Sequence, residues 1–140
     1  MSARSAFYDM PGERDEEISH IAHAAATATE HLCAFRSPCR ALLKGVDWVP
    51  LSTVTGTNTD YTNINIQNRG TDGNSTTELA NVDFAGGTNA ADLTALAIYS
   101  PAAGSELQMS EGTVIAAQFE KVVNGLALPG GTFIFTYEPN

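Results

Sequence analysis

The chain has 140 residues, with 16 Asp and Glu against 7 Lys and Arg, for a net charge of −9. That length suits a single core. The acid excess excludes generic nucleic-acid binding, which sets clustered Lys and Arg against phosphates, and it disfavours docking on anionic membranes.

Composition changes near residue 46. All three histidines (His20, His23, His31) and both cysteines (Cys33, Cys39) precede it, while every Asn and most Thr follow it. Residues 51–140 hold nine acids and only Arg69 and Lys121 as bases, for a charge of −7. Two units are expected: an N-terminal arm and helical segment over 1–45, and a β body over 46–140. Two cysteines are too few for a disulfide scaffold, so free thiols in a reducing cytoplasm are expected. Arg4, Asp9, Glu13, Arg14 and Asp15 break up the start, so no secretory leader is expected. No run reaches the roughly 18 apolar residues of a membrane span.

The stretch Met1 to Gly12 has no helical period and carries Phe7, Tyr8 and Met10 ahead of a Pro11-Gly12 turn. It reads as a frayed terminus or as an arm with aromatic anchors. From Glu13 a helix is predicted. Its first turns hold Glu13, Asp15, Glu16 and Glu17, where the helix dipole favours negative charge. Ile18, Ile21, Ala25, Ala28, Leu32 and Phe35 follow spacings of three and four, one apolar stripe. Pro38 ends it, because proline disfavours helical geometry at the preceding residue. Residues 38–45 suit either a short helix capped by Ser37 or a strand through Ala41-Leu42-Leu43.

Short β-type runs then alternate with Gly and Asn clusters. They cover Val46–Val54, Tyr61–Gln67, Glu78–Ala85, Leu93–Tyr99, Glu106–Met109, Thr113–Val123, Leu126–Pro129 and Thr132–Glu138. Ile64 and Ile66 share one face, as do Val82 and Phe84, and Phe133, Phe135 and Tyr137. Asn124-Gly125 is a hairpin signal. Seven or eight short strands at regular spacing predict a mainly β fold, a jelly-roll or β-sandwich body that buries two half-apolar sheets against each other.

Chemistry is sparse. His20 and His23 sit three apart on the predicted helix, but His31 would lie about 12 Å further along it and cannot complete a metal site. The β body has no His or Cys, so a Ser-His-acid or Cys-His nucleophile could take its histidine only from the N-terminal segment. Gly86-Gly87 and Gly130-Gly131 do not have phosphate-loop spacing. Asp72-Gly73-Asn74 matches only a fragment of a calcium loop, and the scattered acids read as solvated surface. Neither cofactor, metal nor catalysis is expected. Trp48, the sole tryptophan, reads as a core residue or as an interface anchor.

Two stretches carry a resemblance. Leu107-Gln108-Met109-Ser110-Glu111-Gly112-Thr113-Val114-Ile115-Ala116 has an acidic-Gly turn before an apolar strand. Asn124-Gly125-Leu126-Ala127-Leu128-Pro129-Gly130-Gly131-Thr132-Phe133 is a Gly-x-Ala-x-Pro loop leading into a final strand. In these, and in its Thr/Asn/Gly-rich body from Val46 to Pro139, the chain resembles the capsid decoration, or cement, proteins of tailed bacteriophages. The resemblance implies a structural virion protein, made in the host bacterial cytoplasm, that binds the outer capsid surface and ties major capsid subunits together. It implies self-association, a homodimer ahead of a trimer, and no nucleic-acid or membrane partner. Phe7, Tyr8 and Met10 on the arm, Ile18, Ile21, Leu32 and Phe35 on the stripe, and Trp48 are the partner-binding candidates. The competing expectation is a carbohydrate-binding or adhesin module of a phage fibre, since β-sandwiches with Asn-rich loops serve that role.

Overall fold

A computed structural model of the chain describes residues 15–21 and 29–140, and all of its long elements are strands. Eleven are present among the described residues: β1 (Asp15–Ile21), β2 (Glu30–Arg36), β3 (Ala41–Pro50), β4 (Val54–Thr55), β5 (Tyr61–Gly70), β6 (Thr77–Asp83), β7 (Asn89–Ala90), β8 (Leu96–Tyr99), β9 (Leu107–Met109), β10 (Val114–Val122) and β11 (Gly131–Pro139).

The predicted helix from Glu13 is corrected. Its described parts, 15–21 and 30–36, are strands on the edges of two different sheets. β1 pairs with β11 from Asp15↔Tyr137 to Ile21↔Gly131, and β2 pairs with β10 from Glu30↔Phe119 to Arg36↔Val114. The physical reason is tertiary. Without β1 and β2, the long strands β10 and β11 would each expose a row of unpaired backbone groups. Pairing them outweighs the few tenths of a kcal/mol per residue that separate helix formers from other residues. Around Phe35 the burial also alternates, with Ala34 and Arg36 exposed and Phe35 buried, which is strand periodicity. The open choice over 38–45 resolves as strand from Ala41, after a turn in which the Ser37 hydroxyl donates to Cys39 O at 2.7 Å. The composition change at residue 46 falls inside β3.

The first sheet runs β1-β11-β3-β8, with β9 continuing beside β3, and the second runs β2-β10-β5-β6. Every pairing is antiparallel. The pairing is nested: first strand with last, second with second-to-last, and so inward to the β5–β6 hairpin. A single long hairpin rolled over on itself gives this order.

The two sheets meet through aromatic side chains. Phe35 of the second sheet stacks on Phe135 (5.5 Å) and meets Tyr137 (5.2 Å) of the first at a tilt. Trp48 of β3 meets Phe119 of β10 edge-on at 5.9 Å, Phe84 at 5.8 Å and Phe133 at 6.3 Å. β11 alternates strictly, with Phe133, Phe135 and Tyr137 inward, as the sequence pattern predicts. Each fully buried side chain of this size stabilises the fold by about 1.5–3 kcal/mol. The predicted strand Leu126–Pro129 is instead loop, with Leu128 buried as a plug.

Candidate functional site

Strand direction decides which loops share an end. β3 ends at Pro50 opposite Gly131, where β11 begins, and β10 ends at Val122 opposite Tyr61, where β5 begins. β6 finishes beside Asn63, and β8 starts beside Trp48. Loops 51–60, 84–95 and 123–130 therefore emerge together at one end of the sandwich.

These loops are braced against one another. The short β4–β7 pairing joins the first two through Val54↔Ala90 and Thr55↔Asn89, and buries both Val54 and Ala90. Gly56 N donates to Asn89 Oδ1 at 3.0 Å, and Thr57 N donates to Phe84 O at 3.1 Å. Only glycine fits at 56, because a Cβ there would lie 2.0 Å from Ala85 O and 2.4 Å from Thr88 O. The third loop is tied to the first by Asp60, whose Oδ1 accepts from Asn124 N (3.3 Å) and Asn124 Nδ2 (3.2 Å). The Thr62 hydroxyl gives to Leu126 O at 2.7 Å and takes from Leu126 N at 2.9 Å. Leu51 N reaches Gly130 O, and Leu93 N reaches Pro50 O, both at 2.9 Å.

This braced end carries the exposed large hydrophobic residues of the described chain: Leu51 (62% exposed), Leu93 (68%) and Val123 (62%). Two of them occupy left-handed backbone, Leu93 at φ 51° and Val123 at φ 59°. For a β-branched residue that geometry is an outlier, and strain of about 1–3 kcal/mol persists only where the surroundings impose it. A cavity of about 350 Å³ opens beside them, between Ser52–Thr55 and Leu126, Ala127 and Pro129. The arrangement can present apolar side chains in a fixed pattern to a partner.

The sequence-predicted contact residues within the described chain fall on strands. Trp48 (0% exposed) and Phe35 (2%) are in the core, so neither is available to a partner at the surface. Ile18 and Ile21 fall on β1 and Leu32 on β2. Phe7, Tyr8 and Met10 lie outside the described residues. Leu51, Leu93 and Val123 were not picked out from the sequence. Only Val123 had a usable signal, as the residue before the Asn124-Gly125 turn, with Gly125 at φ 76°.

A second polar surface occupies the outer face of the second sheet. Asn63, Asn65 and Gln67 point away from the core yet are buried by their neighbours on β6 and β10. Asn65 Nδ2 donates to Glu120 Oε2 at 2.8 Å, Gln67 Nε2 to Gln118 Oε1 at 3.0 Å, and Arg69 Nη1 to Gln67 Oε1 at 3.3 Å. The Oδ1 atoms of Asn63 and Asn65 are buried without a hydrogen-bond partner. The histidine spacing considered for a metal disappears with the helix: His20 is on β1, His31 on β2, and His23 lies outside the described residues. Among the described residues no three His, Cys, Asp or Glu gather as a metal site. Asp72 is turned into its own loop, where Asn74 N donates to it at 3.0 Å and holds its carboxyl below the ordinary value. No helix among the described residues is long and apolar enough to cross a membrane.

No protein-family model matches the chain, and no curated protein does. Among solved structures, it is similar to a chain in the structure of infectious bursal disease virus, Gx strain, with a TM-score of 0.46 and 10% identity, over 92% of this chain and 33% of that one. This chain thus spans about a third of that one.

Proposed function

We propose that the chain is a non-enzymatic structural protein of a virus particle, a decoration or cement protein that binds the outside of an assembled phage capsid. The observation that carries this reading is the loop end. Leu51, Leu93 and Val123 are held out in water on cross-braced loops, two of them against backbone strain. An adhesive surface gives a reason for that expenditure; a freely solvated loop does not. The nested strand pairing supports it, since this is jelly-roll connectivity, an architecture used by viral capsid proteins, lectins and cupins alike. The Glu111-Gly112 and Asn124-Gly125 turns of the resemblance both have their glycines at positive φ. The finer likeness, to the cement protein of a Bordetella phage, rests on that turn chemistry and on chain layout.

In this reading the partner is the major capsid protein, and the chain acts by mass action, stabilising the shell because it binds only the assembled form. Self-association, as a dimer ahead of a trimer, and an arm made by residues 1–12 belong to the same proposal. Co-sedimentation with undecorated phage heads tests it. The wild type should pellet at a fixed copy number, and a Leu51→Asp, Leu93→Asp double variant should stay in the supernatant while remaining folded. A folded double variant that still pellets would remove the loop end from the interface. Deleting residues 1–12 asks the same of the arm.

The amide row on the second sheet favours a second reading, a carbohydrate-binding module. Asn63, Asn65, Gln67 and Glu120 offer the donors and acceptors that sugar hydroxyls use. A glycan array without a hit at high protein concentration would exclude it.

A further inference from the structure

The outer face of the first sheet holds a cavity of about 320 Å³ that neither reading uses. Two β-bulges build it. Between Thr136↔Gly45 and Tyr137↔Leu43 the register slips past Lys44, and between Val46↔Tyr99 and Asp47↔Ala97 it slips past Ile98. Bulges of this kind re-aim side chains out of the ordinary pleat. The segment Ser100–Glu106 then folds over the bulged strand, turning at Gly104 (φ 87°), with Ser105 N bonded to Ala102 O.

The charges in the cavity do not balance. Lys44 Nζ sits 2.6 Å from Glu106 Oε1 and 3.9 Å from Glu138 Oε2. The other Glu106 oxygen accepts Gly104 N at 2.7 Å, so the Lys44–Glu106 pair is internally satisfied and fixed to the loop. Asp47 is the remaining charge on the wall. It is half-buried, and among the described residues it has neither hydrogen bond nor ion pair. Ser100 and Thr136, which carry hydroxyls, line the same space. The cavity therefore has one uncompensated carboxylate on a wall shared with Ser100 and Thr136, while the Tyr99 hydroxyl accepts from Leu107 N and Lys44 is directed at carboxylates.

We infer that this cavity takes a single arginine side chain from a partner polypeptide. A planar guanidinium places two N–H groups on one carboxylate and has three more for neighbouring oxygens, which fits an Asp47 that shares its wall with Ser100 and Thr136. The volume, at the low end of ligand sites, suits one long side chain. A charge of −7 over residues 51–140 draws basic partners toward the surface. The site lies on a sheet face away from the loop end, so it stands or falls separately from the proposed function.

The test is an NMR titration of the full chain with N-acetyl-arginine amide, against N-acetyl-citrulline amide as its neutral isostere and N-acetyl-lysine amide as a compact cation. The arginine compound should shift the amide resonances of Asp47, Ser100 and Thr136 saturably. The citrulline compound should not, and the lysine compound should bind more weakly. Asp47→Asn should weaken binding about tenfold or more, as loss of a charge-assisted fork does, and added salt should weaken it in the wild type. Leu51→Asp should leave it unchanged. Equal shifts with citrulline, equal affinity for lysine, an indifferent Asp47→Asn, or no saturable shift would each overturn the inference.

Discussion

Gly131→Ala tests the packing at the junction of the loop end and the core. Gly131 opens β11, opposite Pro50 on one side and Ile21 on the other. A Cβ at this position would lie 2.5 Å from Val49 O, 2.6 Å from Trp48 Nε1 and 3.2 Å from Pro50 Cα. Its backbone lies outside the left-handed region, so alanine is excluded by space and not by conformation. Restricting the unfolded chain should return about 0.4–1 kcal/mol, whereas overpacking against backbone atoms costs about 1–3 kcal/mol. The expected net loss is about 1–2 kcal/mol, a drop in Tm of roughly 3–7 °C for a chain of this length. Gly45→Ala is the control, because its nearest neighbour, Tyr99 O, is at an ordinary 3.4 Å. It should stay within about 0.5 kcal/mol of the wild type. Trp48 is the sole tryptophan and is 0% exposed, so its emission reports directly on the contact. Urea unfolding should be followed by that fluorescence and by far-UV circular dichroism. Gly131→Ala with an unchanged midpoint and emission maximum, or Gly45→Ala as damaging, would refute the reasoning.

Three further outcomes follow from the same geometry. Phe119→Ala, which empties a site between Trp48 and Phe133, should cost about 3–5 kcal/mol in denaturant unfolding. Val123→Asn should raise stability by up to about 1 kcal/mol, since Asn tolerates the left-handed backbone, while co-sedimentation with phage heads falls. Glu106 is pulled down from 4.5 to about 2, first by the hydrogen bond from Lys44 and then by backbone N–H groups including that of Gly104. A depressed folded-state value means its contribution is complete above about pH 4.5 and is lost as pH falls toward 2. Glu106→Gln should flatten that part of the acid-unfolding curve, and an unchanged curve would count against the ion pair.

How much was legible in the sequence varied by residue. Period-two alternation identified β5 and β11, with Ile64, Ile66, Phe133, Phe135 and Tyr137 on their core-facing sides. The turns at Gly112 and Gly125 were legible from glycine's access to positive φ. β1 and β2 were not legible as strands, because their stabilisation comes from partners about a hundred residues away, and their own spacing fits a helix. β4 and β7, two residues each, leave no period at all. The loop end was invisible for another reason. Leu51 and Leu93 are ordinary apolar residues in a local window, and only the nested pairing brings them to one end and leaves them uncovered. The cavity around Asp47 depends on two register slips that no composition encodes.

The nested pairing also sets the order in which a ribosome could complete this protein. β11 lies between β1 and β3 in the first sheet, yet it follows every other described strand in the chain. Until residues 131–139 emerge, β1 has no partner and β3 lacks the neighbour along its full length. The first sheet therefore stays open at its centre until residues 131–139 are made, and long-range strand pairing of this kind is slow. During that interval strand edges and half-formed apolar faces are exposed to other nascent copies. The charge of −7 on residues 51–140 opposes association of copies at that stage, through like-charge repulsion.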